Sequence, residues 1–312
     1  MRHTGKMNML FFDDAPKPPL PKAKLVWQLA DTGPTDDPSG AKAILKNPTD
    51  VTFLDDEHFI VADSEGHRLP VYDLTGREVA VLCENQVWPN CVTVSRDGRL
   101  VVTDRKDKQI KIFDTEGRLI RCWGEKHIVG EDEIDMRYHG VAVDSHGLII
   151  VSDTLLDVVR VFDNTGKRIQ EFGGSGSKLD EFHLPFYIAT DHSDNIFVSD
   201  NMNYSVKIFD ADGGFQCKIG SGRDWGKRHF ACPYGVETDN TGHVFVVDNE
   251  NSKVAAYTLS GDFLGQSAEK KDCRSPCGIA LNDVGDMVIT ENNIHYSNIK
   301  LFKLNYSSAA KA

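Results

Sequence analysis

Aromatic, amide and basic side chains recur at fixed places along this 312-residue chain. Thr49, Asn90, His139, Phe186, Tyr234 and Cys277 hold one such place, and Asp50, Cys91, Gly140, Tyr187, Gly235 and Gly278 hold the next. Trp88 and Tyr138 stand close by, flanked by Arg137 and Arg274. A second set follows in three of the units: Arg105, Lys106 and Lys108, then Asn201, Asn203 and Tyr204, then Asn249, Asn251 and Lys253. Flat aromatics stack on unpaired bases, amides read base edges, and Arg and Lys meet phosphates. Each stacked base is worth roughly 1–3 kcal/mol, so three or four aromatics suffice for a short oligonucleotide.

Other chemistries are poorly served. A Ca²⁺ site gathers many oxygens, and here only Asp50, Asn90 and Thr49 offer them together. A zinc lyase needs several converging His, and only His139 qualifies. No Ser–His–Asp arrangement can be placed. No cofactor, no metal and no enzymatic activity of this domain are therefore expected.

These residues must be positioned by a repeat. Six segments align, starting at residues 47, 88, 137, 184, 232 and 275. Each closes on an acid: Asp63, Asp104, Asp153, Asp200, Asp248 and Glu291. An aromatic follows (Tyr72, Phe113, Phe162, Phe209, Tyr257, Phe302), then in five units a glycine (Gly76, Gly117, Gly166, Gly213, Gly261). Each unit reads as four short alternating strands with turn residues between them. Four strands at this period are the signature of a β-propeller blade. A lone four-stranded sheet cannot bury both faces, whereas six packed radially bury them all.

The sixth unit lacks a fourth strand, which would leave an open edge. Residues 24 to 30 resemble the fourth strand of the second unit (118 to 123) and are predicted to complete the last blade. The expected layout is a Pro-rich, disordered linker over 1–22, a six-bladed propeller over 23–305 and a disordered tail over 306–312. Inner-strand starts and second-to-third loops then share one face, where the residues above converge.

The repeated acids are read as structural, accepting backbone N–H bonds in the loop that follows. Asp107, Asp157, Asn203 and Asn251 are expected to favour the same turns. His146 and His243 fall in first-to-second turns on the opposite face and are read as surface residues. Asn203-Tyr204-Ser205 fits a glycosylation sequon, taken as chance.

Composition narrows the partners. The chain is 40% hydrophobic and 26% charged, enough for a packed core. Its 35 Lys and Arg face 47 Asp and Glu, a net charge of −12 that opposes coat-like DNA binding. No apolar run is long enough for a membrane helix, and no signal peptide is visible. Seven Cys without CxxC spacing read as reduced thiols, and a cytoplasmic location is expected.

The repeat resembles the NHL repeat. The connector from Phe172 to Pro185 and the core from Asp200 to Phe209 carry the likeness. The resemblance implies the C-terminal NHL propeller of a TRIM–NHL post-transcriptional regulator. RING, B-box and coiled coil are not in the sequence, and a Pro-rich start fits a C-terminal piece of such a protein. It further implies a translational repressor's reader of single-stranded RNA, with U-rich or other pyrimidine-rich targets. The same face could serve as a protein-docking platform for partners in RNA-repression complexes, and a propeller hydrolase or lyase stands third. No membrane and no DNA partner is expected.

Overall fold

Alternation of β-branched and aromatic residues with polar turns yields strands throughout. A computed structural model describes residues 18–30, 45–129, 132–220, 230–293 and 296–306. It contains six antiparallel four-stranded sheets and one short hairpin, Lys126–Val129 with Asp132–Asp135. Among the described residues the only helix is a single 3₁₀ turn at Asn201–Asn203.

The innermost strands of blades one to six are Pro48–Phe53, Pro89–Val94, Tyr138–Val143, Pro185–Thr190, Pro233–Thr238 and Pro276–Leu281. Neighbouring inner strands touch all the way round, and the last returns to the first. The ring is closed as the repeat predicts: a six-bladed β-propeller.

The seam forms in the sixth blade. Lys22–Ala30 pairs antiparallel with Tyr296–Asn305, from Lys22 opposite Asn305 to Ala30 opposite Asn298, with a bulge near Leu25. Trp27 donates its indole N–H to the Leu74 carbonyl at 2.7 Å, tying the clasp to blade one as well. Pro18–Pro21 runs against blade five, where Ser267 donates to the Pro21 carbonyl at 2.7 Å. Of the linker expected over 1–22, residues 18–22 are docked on the propeller; residues 1–17, and 307–312 of the tail expected over 306–312, lie outside the described residues.

The repeated aromatics Tyr72, Phe113, Phe162, Phe209, Tyr257 and Phe302 are all buried between sheets. The turn glycines Gly76, Gly117, Gly166, Gly213 and Gly261 have φ between 73° and 87°, a region other residues enter at a cost.

Each closing acid is buried and takes backbone N–H groups, but from the segment before the inner strand; among the described residues only Asp104 and Asp153 also take them from the loop that follows, where they were expected. His183 N donates to Asp200 at 2.7 Å, and Arg274 N to Glu291 at 2.7 Å. The structure adds a cation beside each acid, half-buried at Arg68 and buried in the other five, among them Lys253, which was expected on the ligand face. Arg68, Lys111, Arg160, Lys207, Lys253 and Lys300 pair with Asp63, Asp104, Asp153, Asp200, Asp248 and Glu291 respectively. The signal was present: a lone Lys or Arg sits inside each apolar third-strand region, two or four residues before the repeated aromatic.

His243 is buried, a correction to its surface reading. Its ring faces Asp239 Oδ2 at 2.7 Å and the Pro19 carbonyl at 3.0 Å, so the docked N-terminal segment covers it.

Candidate nucleic-acid interface

The loop after each closing acid returns to the start of its inner strand. Arg105 N donates to Trp88 O at 3.0 Å, and Thr154 N to Arg137 O at 3.0 Å. Inner-strand starts and second-to-third loops therefore share a face, and two aromatic patches form on it.

The first patch lies on blades one and two. The Lys106 ammonium sits 3.5 Å from the centroid of the half-buried Trp88 ring, a cation–π contact. The His67 ring lies 4.0 Å from the same ring. Arg105 pairs with Glu65 across the two blades. His67 and Glu65 escaped the sequence reading because the blade-one loop was passed over. Its equivalence to the Arg105–Lys108 loop was visible, since His67 and Lys108 each stand four residues after a closing acid, and in the structure both are left-handed, at φ 55° and 56°.

The second patch lies on blades three to five. His139 stacks on Phe186 with centroids 4.6 Å apart and planes 6° apart. Tyr234 meets Phe186 edge-on at 5.5 Å. All three rings are half-buried. Burial pushes the His139 pKa down to about 4, against a backbone hydrogen bond involving Phe186 that raises it. His139 is thus a neutral ring at pH 7, offering a stacking face and no charge. Arg137 and Arg274 stand exposed at the edges of blades three and six.

Other members of the expected set make hydrogen bonds within the ring itself. Tyr138 is 2% exposed, and its hydroxyl accepts a bond from Glu125 N at 3.1 Å. Tyr187 is buried, with its hydroxyl 2.6 Å from the Thr49 carbonyl. Asn90 gives its amide to Tyr138 O at 3.0 Å, Asn201 to Pro233 O at 3.1 Å and Asn249 to Pro276 O at 2.8 Å. Each of these amides spans two blades. Asn203 bonds Asp200 and the Gly176 carbonyl, both at 2.8 Å. Tyr204 is half-buried at the left-handed position of its loop, φ 54°.

Beneath the face, the inner strands line a channel of about 180 Å³. Gly278 faces Asp50 so closely that a Cβ would come within 2.6 Å of the Asp50 Cα. The channel also holds Asp50 and Glu237. Burial raises Asp50 to about 7, although Val92 N donates to it, and raises Glu237 to about 8.

Comparison with known proteins agrees with the repeat. The NHL repeat family profile matches residues 45–72 and 87–113, blades one and two. The chain is a six-bladed β-propeller that carries NHL repeats in its first two blades. It is 32% identical over 136 residues to "Protein brain tumor" of Drosophila melanogaster, covering 41% of this chain and 12% of that protein. It is 30% identical over 118 residues to "E3 ubiquitin-protein ligase NHLRC1" of Homo sapiens, covering 38% of this chain and 28% of that one. The propeller thus resembles the domains of TRIM–NHL proteins, and it matches only a minor part of either relative's length. Among solved structures, a streptogramin B lyase superposes with a TM-score of 0.62 at 13% identity, covering 89% of this chain and 98% of that one. Virginiamycin B lyase of Staphylococcus aureus gives 0.58 at 14% identity, covering 91% and 99%. At such identities these lyases share the fold alone. The family likeness is consistent with RNA binding or protein docking. Among the described residues, no helix is long and apolar enough to cross a membrane.

Proposed function

We propose that this NHL propeller binds short single-stranded RNA on its aromatic face, selecting pyrimidine-rich sequence, as the cytoplasmic reader of a post-transcriptional repressor. One observation carries the reading: the half-buried Trp88 ring lies against Lys106 and His67 beside Arg105, a stacking surface with cations at its edge. His139, Phe186 and Tyr234 supply a second stacking surface, and Arg137 supplies a further phosphate contact. Tyr138, Tyr187, Asn90, Asn201 and Asn249 hold the ring in place rather than the ligand. The role is binding rather than catalysis. The test is a binding assay with a randomised single-stranded RNA pool at varied salt, comparing the parent with Trp88→Ala and Phe186→Ala. Selective binding lost in those variants supports the reading, and no binding at any salt overturns it.

A protein-docking role for the same face is the second reading. It is favoured by the Arg105–Glu65 pair, which already neutralises one cation, and by the net charge of −12. Exposed aromatics flanked by Arg suit a protein hot spot as well as a base.

A further inference from the structure

On the face opposite the aromatic patches, the first-to-second turns of blades three and four bring three metal-ligating side chains together. One ligand atom each from Asp144, His146 and Asp194 lies within 4.8 Å of the other two. His146 Nδ1 stands 3.2 Å from Asp194 Oδ2 and 4.0 Å from Asp144 Oδ2. Among the described residues this is the only such group of His, Cys, Asp or Glu.

We propose that Asp144, His146 and Asp194 form a binding site for a divalent transition metal of the Zn²⁺ or Mn²⁺ class, linking blades three and four. One imidazole and two carboxylates are a donor set that these ions accept, leaving further positions for water. The imidazole distinguishes the site from the all-oxygen cages that Ca²⁺ takes.

The carboxylates are already oriented. Asp144 Oδ1 accepts His146 N at 2.9 Å and Leu148 N at 2.8 Å. Asp194 Oδ1 accepts Ser145 N at 2.8 Å, and its Oδ2 accepts the Ser145 hydroxyl at 2.6 Å. In both carboxylates Oδ2 is the oxygen nearest the imidazole. Both Asp residues are buried, whereas the His146 side chain is 74% exposed, so an ion could reach the site from solvent. The Arg96 guanidinium lies near, donating to the Ser145 carbonyl at 3.3 Å. Two carboxylates outweigh that one positive charge, so the site keeps a net negative charge that favours a cation.

Asp194 also departs from the repeat. Blades two, three, five and six place Gly98, Gly147, Gly242 and Gly285 at this turn position, all with positive φ. Blade four holds Asp194 there at φ 60°, a conformation Asp tolerates less readily than Gly. The carboxylate that breaks the pattern is the one that reaches blade three.

The test uses the full chain, stripped with chelator and titrated with Co²⁺ by calorimetry and absorption spectroscopy, with Zn²⁺ as competitor. Expected are one equivalent bound, d–d bands without a thiolate charge-transfer band, displacement by Zn²⁺ and a melting temperature that rises with metal. Asp194→Gly restores the residue of the other blades and so keeps the turn. Loss of even an outer partner costs metal sites roughly 10–100-fold in affinity, so this variant should weaken binding by more than about tenfold. His146→Ala, at an exposed position, should do the same and serves if the first variant folds poorly. A parent that binds no Co²⁺, a thiolate band, or variants that bind as tightly as the parent would reduce the cluster to an ion pair and overturn the proposal.

Discussion

The Tyr187 hydroxyl in blade four donates a 2.6 Å hydrogen bond to the Thr49 carbonyl in blade one, on the far side of the ring. Blades one and four are three steps apart in either direction, so this bond spans the channel mouth. It makes Tyr187 a brace for the ring. A buried neutral hydrogen bond contributes about 1 kcal/mol, so Tyr187→Phe should lower stability by about that much. RNA affinity should stay within about twofold of the parent, because no stacking ring is removed. Thermal melts and binding isotherms on one preparation check this. Lost affinity with unchanged stability would return Tyr187 to the ligand.

Trp88 lies half-buried against Lys106, so its replacement should act on binding more than on folding. Trp88→Ala should cost roughly 1–3 kcal/mol of RNA affinity. Three or four phosphate contacts imply a salt slope of about −2 to −3, and Lys106→Ala should flatten it by nearly one unit. Affinity measured across a salt series reads both quantities. A steep slope, or a Trp88 variant that binds like the parent, would move the interface elsewhere.

Much of this was legible in the sequence. The six closing acids and their aromatics fixed blade number and strand order, and the missing fourth strand after Leu304 pointed to the clasp that Lys22–Ala30 forms. Burial within the ring was not legible. Phe186 and Tyr187 are sequence neighbours, yet strand alternation keeps one ring half-exposed and turns the other across the channel. The partners of the Asn residues were not legible for a related reason. An amide suited to a base edge is equally suited to a neighbouring blade's carbonyl, and Asn201 and Asn249 take the carbonyl. His243 looked like a turn residue because nothing local foretells that Pro19, 224 positions earlier in the chain, will cover it.

The buried Lys207–Asp200 pair, 2.9 Å apart with both side chains inaccessible, offers a stability test. Burial raises the Asp200 pKa, opposed by His183 N, Lys207 and Asn203. Removing the cation strands the carboxylate, so Lys207→Met should cost about 3–5 kcal/mol. Adding Asp200→Asn to that variant should recover part of the loss, because no charge is then buried alone. Chemical denaturation of the single and double variants decides it, and additive losses would mean that the two groups are not coupled.

Asp50 and Glu237 in the channel make a prediction about pH. Both carboxyls hold their protons more tightly folded than unfolded, up to about 7 and about 8, with burial the leading cause in each. Between the ordinary carboxylate range and those values the native state binds more protons than the unfolded state. Stability from these groups is therefore greatest at acid pH and falls as pH rises through neutrality. Asp50→Asn keeps an acceptor for Val92 N, and Glu237→Gln keeps the shape, while neither can ionise. The full shift at Asp50 would correspond to about 4 kcal/mol; discounted for solvent screening, the double variant should gain about 1–2 kcal/mol over the parent near pH 9. The gain should be smallest below about pH 4, where the carboxyls are protonated in the folded and the unfolded state alike, and should already be measurable near pH 5. Denaturation curves for parent and variant across that range check the sign. An equal gain at every pH would mean that packing, not ionisation, separates the two proteins.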